Sequence, residues 1–219
     1  MDLFFRKPPL ISYLSDMTLC SDEYRTVAHE ATGIYKEKGS RFLAFAYNVS
    51  TADDAKALVR EKQKEFHDAR HHCYAWRLGA GDGETKVGDD GEPSGTAGRP
   101  ILGQILSAGL TNVVVIVVRY FGGIKLGTGG LIVAYKTATA DALANAEIET
   151  RTFDANLAIR FPYMAMNNVM KALKDSSAKI RRQSFDSDCQ IDISIRLSER
   201  DSVTTKLKDT DGVSVEDIK

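Results

Sequence analysis

Cysteine is scarce in this chain. Cys20, Cys73 and Cys189 are 3 in 219 residues, odd in number and far apart. That excludes a disulfide scaffold, argues against a structural zinc site, and points to a reducing compartment. Long apolar runs are missing too. The longest, Val113 to Val118, is far too short to span a bilayer. Neither charge sign is in excess, with a formal net charge of −1. No overall basic field draws in nucleic acid, so any such contact must use a local patch. The rest of the composition is that of a soluble, globular, cytoplasmic protein: 43% hydrophobic and 27% charged. Its length suits one large or two small domains. Residues 1–21 read as a disordered leader, or as extra sequence upstream of a start at Met17. Arg6, Lys7, Pro8 and Pro9 break up their apolar residues, which a secretory signal would gather into one block.

The most informative stretch is Asn112 to Ala146. Its β-branched run predicts a strand buried on both faces. Arg119, Tyr120 and Phe121 follow, then Gly122, Gly123, Gly127, Gly129 and Gly130, then a helical pattern from near Thr128. Strand, glycine loop and helix N-terminus together form an arrangement that binds anions. Arg119 and Lys125 flank it. Two phosphate motifs fail here. Thr128 stands where a Walker A lysine belongs, and Ile132 where a dinucleotide-binding glycine belongs. The plainer reading is a tight turn whose glycines serve packing.

Earlier in the chain, Ile34–Lys36 and Arg41–Val49 predict two strands around a turn, with Phe42, Ala44 and Ala46 on one face. Thr51 and Asp54 make a helix start. That helix runs to about Phe66, with Ala55, Leu58, Val59 and Phe66 inward and its lysines and glutamates outward. Residues 67–79 alternate: His71, Cys73 and Ala75 share one strand face, and His72, Tyr74 and Trp76 the other. That spacing suits a half-buried strand better than a metal site.

Residues 80–100 read as one long polar loop, ahead of a short helix from Ile101 to Ala108. Asp89, Asp90 and Glu92 could hold a divalent ion or act as acid and base. Their plain role is a capped, solvated turn. From Phe153 onward the pattern is β-α-β-β-α-β, the order of a ferredoxin-like domain. Strands are expected over Phe153–Phe161, Ile180–Ser187, Cys189–Leu197 and Val213–Ile218. Asp186-Ser187-Asp188 is the central turn, and Pro162 opens the first helix.

Specific motifs carry a family resemblance. Asp89-Asp90-Gly91-Glu92-Pro93-Ser94-Gly95-Thr96-Ala97-Gly98-Arg99-Pro100 precedes Val118-Arg119-Tyr120-Phe121-Gly122-Gly123-Ile124-Lys125-Leu126-Gly127. Ala69-Arg70-His71-His72-Cys73-Tyr74-Ala75 and Lys38-Gly39-Ser40-Arg41-Phe42 accompany them. In this order they resemble the IMPACT/YigZ family over about residues 22–146. The resemblance implies an α+β fold of two domains. Residues 22–148 would be similar to domain 2 of ribosomal protein S5, and 149–219 ferredoxin-like. The pair also resembles the last two domains of elongation factor G. Eukaryotic members act in translational control and carry a different extra domain, absent here, so their partnership does not transfer.

The functional expectation is a non-enzymatic, translation-associated protein contacting RNA, the ribosome or a translation-related protein. Its binding residues would be His71, Asp90, Glu92, Ser94, Thr96, Arg119, Gly122, Gly123, Lys125, Thr128 and Gly129. No catalytic group, metal ligand or cofactor is assigned. The alternative is an enzyme or sensor for a phosphorylated metabolite or nucleotide, since the S5-like fold also underlies small-molecule kinases. There Asp90 or Glu92 would hold Mg²⁺.

Overall fold

A computed structural model describes residues 22–81, 83–185 and 189–218. The expected leader, 1–21, and the expected turn at Asp186-Ser187-Asp188 lie outside the described residues. The architecture is α+β in two units, which divide between Phe153 and Asp154. Among the described residues no helix is long and apolar enough to cross a membrane.

The first unit contains β1 (Glu23–Val27), β2 (Ala31–Glu37), β3 (Ser40–Asn48), α1 (Ala52–Glu65), β4 (His71–Leu78), β5 (Glu84–Gly88), α2 (Gly98–Ser107), β6 (Val113–Tyr120), α3 (Gly127–Ala144) and β7 (Ile148–Thr152). Its main sheet is antiparallel in the order β2-β3-β6-β4-β5. The valine-rich strand β6 is central, and all six side chains from Val113 to Val118 are fully buried. Val113, Val115 and Val117 pack with α2 and α3, through Ile101, Ile105, Ala134 and Ala138. Val114 and Ile116 pack on the opposite face with Ala55 and Val59 of α1. Each such burial stabilises by roughly 1.5–3 kcal/mol before entropy is counted.

Thr51 caps α1 as its sequence predicts, accepting from the Asp54 amide and donating to the Asp54 carboxylate. Lys62 departs from the expected polar face. Its stem is buried and its ammonium lies 4.4 Å from the Phe45 ring centre, near the Tyr47 and Phe66 rings. Glu65 accepts from it at 2.7 Å. An aromatic cage and a carboxylate together replace the water a lysine ordinarily keeps.

The residue 80–100 stretch is not one loop, because β5 pairs with β4 inside it. Glu84, Thr85 and Lys86 are exposed on this edge strand, so no apolar alternation marks it. Strand β1 pairs with β7 in a separate ribbon. That pairing carries the first unit past residue 148, the expected boundary.

The second unit contains β8 (Asp154–Phe161), a 3-10 turn (Tyr163–Ala165), α4 (Met166–Lys174), β9 (Lys179–Phe185), β10 (Cys189–Arg196), a second 3-10 turn (Leu197–Glu199), α5 (Arg200–Lys208) and β11 (Ser214–Asp217). The antiparallel order β11-β8-β10-β9 makes it ferredoxin-like. Leu157, Ile159, Ile191, Ile193 and Ile195 pack with Val169, Leu173, Val203 and Leu207. Pro162 is extended, with φ −70° and ψ 151°, so it precedes the first turn rather than opening the helix.

Candidate functional site

Register places the site. Arg119 near the end of β6 stands opposite Phe42 on β3 and His71 on β4. A residue at this point of a twisted sheet projects beside the helix that follows. The chain then turns back through residues 121–126 and enters α3. Gly122 permits that turn by close approach: a Cβ there would lie 1.9 Å from the Gly39 carbonyl carbon. The Gly122 amide donates to Ser40 Oγ at 3.2 Å. Gly127, with φ +71°, admits the chain to the helix in a conformation that L side chains rarely adopt.

Arg119 is 5% exposed. Its Nη1 donates to Glu92 Oε1 at 2.6 Å, and its Nε is buried without a partner. The same carboxylate oxygen accepts from the Tyr135 hydroxyl of α3 at 2.8 Å. His71 Nε2 stands 4.0 Å from it. His71 Nδ1 lies 2.8 Å from the Asp90 carbonyl oxygen, which can only accept. Nδ1 therefore carries a proton, and Nε2 is the atom nearer Glu92. Cys73 Sγ lies 3.2 Å from the Tyr135 hydroxyl and 3.0 Å from the Asp89 carbonyl. Its single proton serves one of them at a time. Burial pushes the Cys73 thiol well up, and Glu92, Asp90 and Asp89 add to this against the Tyr135 bond. Burial also pushes Tyr135 up, with help from Cys73 and Glu92. Both groups are thus neutral members of a buried network.

His71, Glu92 and Arg119 of this network line a pocket of about 450 Å³, together with Arg70, Pro93, Phe121, Lys125, Leu126, Gly127, Thr128 and Leu131. Part of the lining is cationic. Arg70 and Lys125 are exposed and have no ionic partner among the described residues. Beside them is the start of α3, where no side chain caps the helix. The first four amides of a helix lack intrahelical acceptors, so this end offers donors and a positive dipole. The other wall is apolar, formed by Pro93, Phe121, Leu126 and Leu131.

Of the expected binding residues, the pocket brings together His71, Glu92, Arg119, Lys125 and Thr128. Arg119 is not an open phosphate clamp, because Glu92 already holds it. Ser94 is exposed outside the lining, and the buried Thr96 hydroxyl donates to the Pro93 carbonyl at 2.7 Å. Gly122 serves packing, as the plainer reading had it. Gly123 and Gly129 do not line the pocket, and neither has another group within Cβ reach. Asp90 lines a different pocket, with Lys56, Arg60, Tyr74 and Trp76. Its carboxylate accepts from the His72 amide at 2.7 Å. Asp90 and Glu92 therefore do not share a site. Among the described residues no three His, Cys, Asp or Glu side chains gather in a way that would hold a metal ion. Asp89 is the turn's cap: its carboxylate accepts from the amides of Gly95, Ala97 and Gly98.

Sequence reading missed Arg70, Phe121 and Tyr135. Arg70 and Phe121 each sit next to a residue already singled out. Tyr135 carries no local signal, since a tyrosine inside a helical pattern reads as core.

Residues 38–143 match the Impact N-terminal domain. The "IMPACT family member YigZ" of Escherichia coli (strain K12) is 36% identical over 173 residues, 78% of this chain and 83% of that protein. The "Protein IMPACT homolog" of Saccharomyces cerevisiae is 33% identical over 95 residues, 42% of this chain and 36% of that one. A crystal structure described as that of a hypothetical protein is similar with a TM-score of 0.68 and 30% identity, covering 90% of this chain and 98% of that one.

Proposed function

The chain belongs to the IMPACT family, and from that premise we propose that it is a cytoplasmic, translation-associated binding protein without catalytic activity of its own. Its task is to take up a phosphate group of RNA, free or in the ribosome, in the pocket above Arg119. The observation that carries this reading is the gathering of donors in the lining of that pocket. Arg70 and Lys125 bring unpaired charge, and α3 brings uncapped amides. A phosphate oxygen can accept from all of these. The resemblance to eukaryotic members that act in translational control supports the setting.

The test is co-sedimentation with ribosomes at two salt concentrations, using wild type and Arg70→Glu/Lys125→Glu. Both side chains are exposed, so the variant keeps the fold. Wild type is expected to co-migrate at low salt and to be released by high salt. Each lost cation lowers the slope of log affinity against log salt by about 1. Unchanged association in the variant would remove the pocket from the reading.

A second reading, a sensor for a small phosphorylated metabolite, draws on the pocket's volume of about 450 Å³. Thermal shift across a panel of phosphorylated compounds tests it, and absence of any stabilisation would count against it.

A further inference from the structure

We infer that the pocket takes the terminal nucleotide of a phosphorylated chain end, phosphomonoester inward and base outward against Phe121, or the same unit as a free nucleoside monophosphate. This rests on the anion-binding reading above and narrows it.

Shape comes first. Arg119 and Glu92 line the pocket as buried side chains, and Tyr135 holds Glu92 from behind the lining. A phosphodiester inside a strand carries two substituents, and both must leave the pocket. A terminal phosphomonoester carries one. It can seat in a pocket of about 450 Å³ with only one strand to be led out. Volumes of this size suit one small ligand and not a length of duplex.

Charge agrees. A phosphomonoester carries roughly −1.5 to −2 at neutral pH, against about −1 for a diester. Arg70, Lys125 and the α3 amides are more than one diester oxygen pair needs. Arg119, which also lines the pocket, keeps its positive charge there on a group that Glu92 holds in place.

The apolar wall supplies the other half. Phe121 is 46% exposed, an uncommon state for a phenylalanine outside any core cluster. Its ring faces the Arg119 guanidinium at 5.7 Å. It lines the pocket with part of its surface open to solvent, and a bound nucleotide's base can stack there. Aromatic faces of this kind stack unpaired bases of any identity. Sequence preference is therefore weak, and selectivity lies in the free end.

The experiment is a binding series on the full chain by titration calorimetry. The probes are inorganic phosphate, uridine and adenosine monophosphates, and a six-nucleotide single-stranded RNA with a 5′-phosphate, a 3′-phosphate or neither. The variants are Phe121→Ala, Phe121→Tyr and Lys125→Glu. A phosphorylated end is expected to raise RNA affinity at least tenfold over the unphosphorylated strand. Phe121→Ala is expected to cost roughly five- to hundredfold on nucleotides and RNA, with inorganic phosphate unaffected and with rescue by Phe121→Tyr. Stronger binding of the RNA than of the monophosphates assigns the ligand to a chain end. The reverse assigns it to free nucleotide and still supports the pocket geometry. Equal binding of all three RNAs, still lost in Lys125→Glu, would overturn the end-recognition proposal and leave the anion-binding reading standing. No binding of phosphate or any RNA would overturn both.

Discussion

The Glu92 carboxylate and the Arg119 guanidinium meet at 2.6 Å, both below the protein surface and 27 residues apart in sequence. Removing either partner strands the other in a poor solvent for charge. Arg119→Met should therefore cost about 3–5 kcal/mol of stability. Adding Glu92→Gln to it should return a large part of that loss. Urea denaturation of the two single variants and the double variant reads the coupling. Simple additivity would mean that the pair is not an energetic unit.

Glycines 122 and 129 should respond oppositely to alanine. At Gly122 the added carbon meets the Gly39–Ser40 peptide, with contacts of 1.9 and 2.1 Å. Backbone must shift there, at a cost of about 1–3 kcal/mol or more. At Gly129 nothing lies within 4 Å of the added carbon. Alanine there should stabilise α3 by about 0.5–1 kcal/mol, while crowding any ligand at the helix start. Melting temperatures and phosphate titrations of the two variants check this. A tolerated Gly122→Ala would refute the close-approach account.

Acid should unfasten the residue 89–98 turn. Burial works against the Asp89 charge, but amide bonds from Gly95, Gly98 and Ala97, with Arg99 nearby, outweigh it and hold the carboxyl below its ordinary value of 3.8. A lowered folded value means that the stabilisation is complete above the ordinary value. It is lost as pH falls from there through the folded value. Wild type should therefore lose melting temperature more steeply than Asp89→Asn between about pH 5 and pH 3. Parallel curves would show that the charge contributes nothing.

Cys73 should resist alkylation in the folded protein. Its thiol is fully buried and held protonated, so the reactive thiolate is rare. Iodoacetamide at mildly alkaline pH should label it only after denaturation, as peptide mass mapping would show. Rapid labelling of Cys73 in the native state would contradict the buried network.

What sequence revealed of this molecule follows from where its physics is local. Val113–Val118 announced the central strand, because six consecutive β-branched residues suit burial on both faces. Thr51 and Asp54 announced a helix start, because the cap spans a few residues. The alternation in residues 153–161 and 189–197 led to the ferredoxin-like order. Strand β5 stayed hidden because its first residues face water. Strands β1 and β7 stayed hidden because each is stable only against the other, across more than a hundred residues of chain. Arg119 looked free for phosphate because its partner is supplied by register and by the Asp89-capped turn. Arg70 and Phe121 entered the site by the same register, one beside His71 and the other beside Tyr120.

The sheet order also bears on how the chain is made. Strand β6 is central, yet it emerges after β2, β3, β4 and β5. A growing chain can form the β2–β3 and β4–β5 hairpins early, but nothing joins them until residue 120 has been synthesised. Until then the sides of β3 and β4 that will pair with β6 are open edges, with Phe42, Ala44, Cys73 and Ala75 uncovered. Closing them takes a late, non-local step, slow by the standards of helical proteins. The first unit should acquire resistance to protease in one jump as β6 and α3 arrive.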